Sequence, residues 1–422
     1  MQPPMGWNSW DCYAATVTES QLLENAEYMQ KNLRPYGWEY IVCDIQWYEP
    51  LAGSGEGESR PFAELCLDDF SRPIPAENRF PSSAGGKGFA PIAEKIHNMG
   101  LKFGVHFMRG IPRQAVHRKA AIKGANVTAD AIANPFSICK WNSDMYGVDS
   151  SKPGAQEYYN SVFELFASWG VDYVKIDDIC NTNMYPHAPY SAQGEIELIR
   201  RAIDACGRPM VLSLSPGPAL IEKAWHLSQY ANMWRITDDF WDRWDSLKDM
   251  FHRCELWQAH VKPGCWPDCD MLPLGHICYG FKKPRSSNFT RDEQQTMMTL
   301  WCIFRSPLMM GGVLPENDEW TLSLLTNSEV LDVQKHGSTP VQIARDNNEA
   351  IWMSYAAEGS INLALFNLSD EKRTVRCPLS AIGFQKAVIR DLWKKQDCGT
   401  VSEEAAAEIP PHGSVLYLVK SV

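Results

Sequence analysis

The chain has 422 residues, of which 45% are hydrophobic and 22% charged, and its formal net charge is −11. This composition excludes an intrinsically disordered chain and is typical of a protein with a large core. The negative charge disfavours nucleic acid and anionic membranes as partners, because both present phosphates.

In chain order, short apolar strands alternate with amphipathic helices. Thr18 and Gln21 form a capping box that predicts the start of a helix, Gly37 ends that helix, and a buried strand follows. The same unit recurs as far as residue 311. The predicted strands cover residues 4–7, 40–44, 102–107, 173–177, 210–214, 233–237, 265–271 and 308–311.

Eight strands in strict alternation with helices predict a closed (β/α)8 TIM barrel. An open doubly wound sheet would require a glycine-rich phosphate loop after the first strand, and residues 6–9 do not form one. After residue 327, alternating strands at 350–355, 361–366, 373–377, 387–392 and 414–419 predict an antiparallel β-sandwich. We therefore expect an α/β protein with a catalytic barrel over residues 1–327 and a C-terminal β-sandwich over residues 328–422.

The chain shows no targeting or membrane signal. Residues 1–10 hold neither a basic nor an apolar leader region, so we expect a cytoplasmic protein, or a secreted one if a leader has been removed. No apolar run is long enough for a transmembrane helix.

The 13 cysteines favour a reducing compartment. No second cysteine pair matches Cys265 and Cys269 at a metal-site spacing, so we expect no metal and no cofactor. The sequence leaves homo-oligomerisation open.

Acidic residues follow several predicted strands, where a barrel carries its catalytic side chains. They include Asp44, Asp177, Asp239 and Asp270. One such acid could cap a loop, but acids at four strand ends indicate either a metal site or glycosyl chemistry. Lys175 shares a face with Asp177, and its cation disfavours a metal and lowers the pKa of that carboxyl, as a nucleophile requires.

Two further residue types point to a sugar site. Arg235 lies four residues before Asp239, where it can bind a sugar hydroxyl or hold an acid. Tryptophans near strand ends offer flat apolar faces on which sugars stack. We interpret Trp10 as part of the site, whereas the others fit core packing. These others are Trp7, Trp47, Trp234 and Trp266.

Four motifs, at residues 5–10, 173–177, 234–239 and 268–272, resemble glycoside hydrolase family 27, which contains α-galactosidases and α-N-acetylgalactosaminidases. The resemblance implies a retaining double displacement with Asp177 as nucleophile and Asp239 as general acid/base. It implies that the substrate, a carbohydrate, is contacted by Trp10, Asp44, Lys175, Arg235 and Asp270.

Three positions depart from the family pattern. Family α-galactosidases carry two consecutive aspartates that bind O4 and O6 of galactose, and the second of these is replaced here by Ile45. A tyrosine at the end of the third strand is replaced by His106. At the fifth strand, a Cys-Glu-Trp sequence is replaced by residues 214–216, in which the small Ser215 leaves room for an N-acetyl group. We include His106 and Ser215 among the substrate-binding residues.

Two pairs of residues keep alternative interpretations. Arg109 and Arg113 could pair with a carboxylate or sulfate of the substrate, but we favour a role in bridging helix carboxylates. Cys139 and Cys180 are the counterparts of two cysteines that are paired in many family members, and the sequence leaves open whether they are bonded.

The leading hypothesis is hydrolysis of a terminal α-linked galacto-configured sugar, either N-acetylgalactosamine or galactose. The main alternative substrate is a β-L-arabinopyranoside or an α-glucoside, because Ile45 replaces one of the side chains that bind galactose. A sugar-binding barrel that has lost catalysis is a second class. A phosphate-handling barrel is disfavoured, because residues 308–312 offer only two glycines and the acidic mouth repels phosphate.

Overall fold

The computed structural model describes residues 1–53, 60–182 and 186–422. Its central sheet has eight parallel strands; the first seven pair in chain order, and the first strand also pairs with the eighth. A parallel bridge between Leu272 and Met310 joins the remaining edges and closes the ring. The strands are β1 (Met5–Asn8), β2 (Tyr40–Cys43), β3 (Lys102–Met108), β4 (Tyr173–Asp177), β5 (Val211–Leu214), β6 (Met233–Arg235), β7 (Trp266–Asp268) and β8 (Leu308–Met310).

Helices connect these strands and cover the outside of the ring. Capping boxes at Thr18 and Thr290 begin the first and seventh helices, as the sequence predicted. Gly170, in the left-handed region at φ 82°, ends the third helix. In the described ranges, the helices of seven or more residues are α1 (Glu19–Asn32), α2 (Ala90–Asn98), α3 (Ala155–Trp169), α4 (Gln193–Ala205), α5 (Ala224–Tyr230), α6 (Trp244–Trp257), α7 (Arg291–Phe304), α8 (Glu319–Leu325) and α9 (Ser328–His336).

Short inserts extend the mouth of the barrel. After β3, the strands Ile111–Pro112, Ala133–Ile138 and Met145–Val148 form a small antiparallel sheet. After β7, His276–Ile277 pairs with Arg285–Ser286. Sequence patterns did not predict these inserts, because strands of two to six residues carry too little periodicity.

The C-terminal part is an antiparallel sandwich with its own apolar core. The strands are β9 (Ser338–Arg345), β10 (Glu349–Tyr355), β11 (Ile361–Asn367), β12 (Arg373–Pro378), β13 (Lys386–Asp391), β14 (Gln396–Ser402), β15 (Glu404–Ile409) and β16 (Ser414–Ser421). A six-stranded sheet, in the order β9-β10-β11-β16-β13-β14, faces a β12-β15 pair.

The prediction of a (β/α)8 barrel followed by an antiparallel sandwich is confirmed. The proposed domain boundary after residue 327 falls directly before α9, and the sandwich strands begin at residue 338. That boundary stays a prediction. Among the described residues, none of the helices has the length and apolar character that crossing a bilayer demands.

The buried Arg79 ties together the segments that follow β1 and β2. Its guanidinium donates hydrogen bonds to the carbonyl oxygens of Ala15 and Val17 at 2.6 and 2.8 Å. It also donates to those of Gln46 and Glu49 at 2.7 and 2.9 Å. These bonds fix two loops at the mouth of the barrel.

We predict that Arg79→Met lowers the free energy of unfolding by about 3 kcal/mol or more, because several buried carbonyls lose their donor. Urea denaturation followed by circular dichroism measures the change. Arg118→Met is the matched control, since Arg118 is exposed and pairs with the exposed Glu64, and it should cost less than about 0.5 kcal/mol. Equal stability of both variants would contradict this account.

Candidate active site

A cavity of about 270 Å³ opens at the carboxyl ends of the barrel strands. Five of the predicted site residues line it together with four others. The lining residues are Trp10, Asp44, Ile45, Trp141, Lys175, Asp177, Pro216, Asp238 and Asp239. The candidate nucleophile and the candidate acid therefore face one space, as a reaction across a single sugar ring requires.

At the inner end of this cavity, Lys175 and Asp44 form a buried ion pair. The Lys175 Nζ lies 2.9 Å from the Asp44 Oδ2, and the Asn8 side-chain amide donates to the same oxygen at 2.8 Å. Burial raises the pKa of Asp44, but the charges of Lys175 and His106 and these hydrogen bonds hold it below its usual value. The pair is therefore ionised.

Asp177 receives one hydrogen bond on each carboxylate oxygen. His106 Nε2 lies 3.2 Å from Oδ2, and the Asp178 backbone N–H donates to Oδ1 at 2.9 Å. Burial raises the pKa of Asp177, yet the His106 hydrogen bond and the Lys175 charge together bring it well below its ordinary value. The expected effect of Lys175 is confirmed, and the bond from His106 adds an effect that the sequence did not predict.

Arg235 pairs with two acids, which is one of the two roles that the sequence left open. Its Nη2 lies 2.7 Å from Asp239 Oδ1, and its Nη1 lies 3.0 Å from Asp270 Oδ1. The Phe240 backbone N–H donates to the other Asp270 oxygen at 2.8 Å. The Asp239 side chain is 57% exposed, whereas that of Asp270 is buried. Arg235 thus fixes an exposed acid at the rim of the cavity.

Ser215 lies deeper than expected. It lines a small inner cavity of about 20 Å³ with Lys175, Arg235 and Asp270, while Pro216 lines the main cavity. The Ser215 hydroxyl is buried and makes no hydrogen bond among the described residues. The small serine therefore creates no space in the wall that faces the main cavity.

Arg109 bridges carboxylates behind Asp177. Its Nη2 lies 2.8 Å from Asp178 Oδ2, its Nη1 lies 3.0 Å from Glu195 Oε1, and its backbone N–H donates to the Asp177 carbonyl oxygen at 3.1 Å. Burial raises the pKa of Asp178 to about 7 despite the Arg109 charge. This network supports the segment whose N–H group donates to the Asp177 carboxylate, in line with the favoured interpretation of Arg109.

Arg113 lies outside the cavity wall. Its Nε donates to the Met145 carbonyl oxygen at 3.1 Å, and its guanidinium lies 4.7 Å from the centre of the Tyr146 ring. It therefore packs on the insert after β3 and bridges no helix carboxylate in the described contacts.

Cys139 and Cys180 are both free and buried, so the pair that the family resemblance implied is not bonded here. Within the described ranges, no three His, Cys, Asp or Glu side chains are grouped so that they could hold a metal ion.

The tryptophans divide as the sequence suggested. Trp10 is partly exposed and lines the cavity, whereas the four others, Trp7, Trp47, Trp234 and Trp266, are buried in the core. Sequence reasoning missed Asn8 and Trp141 as site residues. The Met-Gly-Trp-Asn motif at residues 5–8 contained a signal for the first, but nothing in the sequence marked the second.

A closed barrel with an ionised carboxylate and an exposed acid in one cavity has the site of a glycoside hydrolase. Two family profiles agree with this class. The profile described as Alpha galactosidase A matches residues 143–336, and the Alpha galactosidase C-terminal beta sandwich domain matches residues 346–419. The chain belongs to glycoside hydrolase family 27.

Individual relatives differ in the sugar that their names give. The chain is 55% identical to a family 27 β-L-arabinopyranosidase from Geobacillus stearothermophilus, with a TM-score of 0.97 over 100% of this chain and 97% of that one. It is 49% identical to a Bacillus halodurans protein provisionally named as an α-N-acetylgalactosaminidase, with a TM-score of 0.90 over 100% and 98%. It is 27% identical to the α-galactosidase of Cyamopsis tetragonoloba, over 99% of this chain and 86% of the relative.

We predict that His106→Phe moves the acidic limb of the kcat/KM profile to higher pH by about one unit, because it removes a hydrogen bond to a charged group. The sign follows from the lowered pKa of Asp177. Without the donor this pKa rises, and the carboxylate is protonated at a higher pH.

The matched control is His97→Phe, since His97 contacts Asp172 at 2.8 Å outside the cavity. Its profile should equal that of the unmodified enzyme. An unchanged acidic limb in His106→Phe would show that His106 does not control the ionisation of Asp177.

Proposed function

We propose that this enzyme hydrolyses terminal β-L-arabinopyranosides with retention of anomeric configuration. β-L-Arabinopyranose has the ring configuration of α-D-galactose but carries hydrogen where galactose carries the C6 hydroxymethyl group. The observation that carries the proposal is Ile45, which is buried and lines the cavity next to Asp44. An apolar side chain at this position favours a ring methylene over a hydroxymethyl group, because a buried hydroxyl would lack a partner there.

The proposed first step is a displacement at the anomeric carbon. The Asp177 carboxylate attacks that carbon while Asp239, in its protonated form, donates a proton to the glycosidic oxygen, so that the C–O bond breaks and the leaving group departs as an alcohol. The low pKa of Asp177 supports this role, since the nucleophile must be ionised. The high exposure of Asp239 supports its role as proton donor, since the acid must contact the leaving group at the rim of the cavity.

The proposed second step releases the sugar. Asp239, now ionised, removes a proton from a water molecule, and the water oxygen attacks the anomeric carbon of the glycosyl-enzyme and expels Asp177. We propose that Trp10, Asp44 and Lys175 bind the sugar ring, because they line the cavity. His106, Arg235, Asp270 and Ser215 are not among the residues that line this cavity. We propose that His106 holds Asp177, that Arg235 holds Asp239, and that Asp270 holds Arg235.

Galactosides and N-acetylgalactosaminides are the second candidates, and the sequence alone put them first. Named α-galactosidases among the relatives favour them. Two observations favour the arabinoside instead: the apolar Ile45 in the cavity wall, and the 55% identity to a β-L-arabinopyranosidase. Ser215 adds no room for an N-acetyl group in the main cavity, because Pro216 forms that part of its wall.

We predict that kcat/KM for p-nitrophenyl β-L-arabinopyranoside exceeds that for the α-D-galactopyranoside by about tenfold or more, the effect of one misfitting group in a pocket. Ile45→Asp should lower turnover of the arabinoside and reduce the ratio of the two kcat/KM values. Ile45→Val, which stays apolar, should leave this ratio unchanged. A preference of the unmodified enzyme for galactoside, N-acetylgalactosaminide or α-glucoside would reject the proposed substrate.

We predict that Asp177→Asn and Asp239→Asn each lower kcat by roughly a thousandfold or more, because each removes a group that the other cannot replace. Asp238→Asn is the matched control. Asp238 is also exposed in the cavity, and its carboxylate accepts the Asp239 backbone N–H at 2.9 Å. The Asp238→Asn variant should lose less than about tenfold in kcat. Near-normal turnover by Asp177→Asn would reject the nucleophile. Sugar binding without hydrolysis by the unmodified protein would indicate a non-catalytic barrel.

A further inference from the structure

The exposure of the cavity residues changes steadily from the inner end to the rim. Asp44 is 1% exposed, Lys175 11% and Asp177 14% in their side chains, whereas Asp239 is 57% exposed. The sugar that reacts must reach Asp177, so it occupies the inner end. The leaving group must then lie between Asp239 and the solvent, at the rim of the cavity.

Trp141 is the aromatic residue of this rim. It lines the same cavity as Asp239, is 42% exposed and lies outside the hydrophobic core. A partly exposed indole offers a flat apolar face of the kind on which the C–H faces of sugars stack. Trp10 also lines the cavity, but it packs against the core and meets Phe281 edge-on with the ring centres 5.5 Å apart.

Hydrogen bonds among buried residues hold the segment that carries Trp141. The Asn142 side-chain oxygen accepts the Asp144 backbone N–H at 2.7 Å, and both residues are buried. Asp144 in turn accepts from the Gln46 side-chain amide at 2.7 Å and from the Tyr48 hydroxyl at 3.0 Å. The backbone beside the indole is therefore fixed, which reduces the entropy lost when a ligand stacks on it.

The same contacts connect the rim to the inner wall. Gln46 directly follows Ile45, which lines the cavity, and Gln46 is the residue that binds Asp144. The loop after β2 and the insert after β3 thus hold each other. One network fixes both Ile45, at the reacting sugar, and Trp141, at the leaving group.

We infer that Trp141 is the stacking surface of a leaving-group subsite that takes a second sugar. This inference rests on the proposed function, since it names the leaving group of that same reaction. A sugar fits the rim better than an aryl group because Asp238 is also exposed there. Its carboxylate accepts hydrogen bonds from sugar hydroxyls, which a phenyl ring lacks.

The test compares three substrates that share one reacting sugar. The leaving group of β-L-arabinopyranosyl fluoride has no ring that could stack on Trp141. That of p-nitrophenyl β-L-arabinopyranoside has an aromatic ring. That of a disaccharide with a terminal β-L-arabinopyranosyl group on a pyranose has a sugar ring. In Trp141→Ala, kcat/KM should fall about tenfold or more for the disaccharide and stay within about twofold for the fluoride. Trp141→Phe, which keeps a ring, should lose less on the disaccharide.

Phe136→Ala is the matched control, because Phe136 is an 83% exposed aromatic residue of the same insert that is not among the residues lining the cavity. It should leave all three substrates unchanged. Equal losses of Trp141→Ala on fluoride and disaccharide would overturn the inference, as would an unaffected disaccharide. A loss confined to the aryl glycoside would overturn the choice of a sugar.

Failure of the proposed function gives a different result. In that case the unmodified enzyme cleaves α-D-galactopyranosyl fluoride and leaves the arabinosyl fluoride intact. The same three leaving groups are then compared on galactose. A selective loss on the galactosyl disaccharide would support the role of Trp141 although the reacting sugar was wrong, and an equal loss on the galactosyl fluoride would overturn it.

Discussion

Two buried cations, Lys175 and Arg235, govern the charges at the mouth of this barrel. Burying several carboxylates in one place is unfavourable unless cations and hydrogen bonds compensate them. Lys175 pairs with Asp44, and Arg235 pairs with Asp239 and Asp270. The acids therefore keep fixed positions around a single cavity. Since Lys175 also lines the same cavity as Asp177, its charge helps to keep the Asp177 carboxylate ionised despite burial.

The barrel provides the chemistry common to the family, and two loops adapt it. The acids and their cations lie on the strands or within four residues of their ends, and the parallel pairing of the strands brings them to one side of the barrel. Ile45 and Trp141 lie in the segments that follow β2 and β3, and the Gln46–Asp144 hydrogen bond joins these segments. We propose that the sheet positions the reacting groups, whereas the two joined loops determine which sugar reacts and which group leaves.

Features that depend on local pattern could be predicted from the sequence. The capping box at Thr18 and the acids at strand ends are of this kind, because chain direction alone brings such ends to one edge of a barrel. The contact of His106 with Asp177 depends on the register of β3 against β4, which no periodicity reveals. Arg109 finds its partners on separate elements, and Trp141 lies in a short insert without a repeating pattern. These positions required the three-dimensional structure.

We propose that the ionised carboxylate of Asp177 forms the covalent bond to the sugar. Incubation with a 2-fluorinated arabinopyranosyl inactivator, proteolysis and peptide mass spectrometry test this role directly, because fluorine slows release of the glycosyl-enzyme. We predict one label per chain, on the peptide that contains Asp177 and on that side chain. A label on Asp239 or on another residue, with Asp177 unmodified, would contradict the role of Asp177.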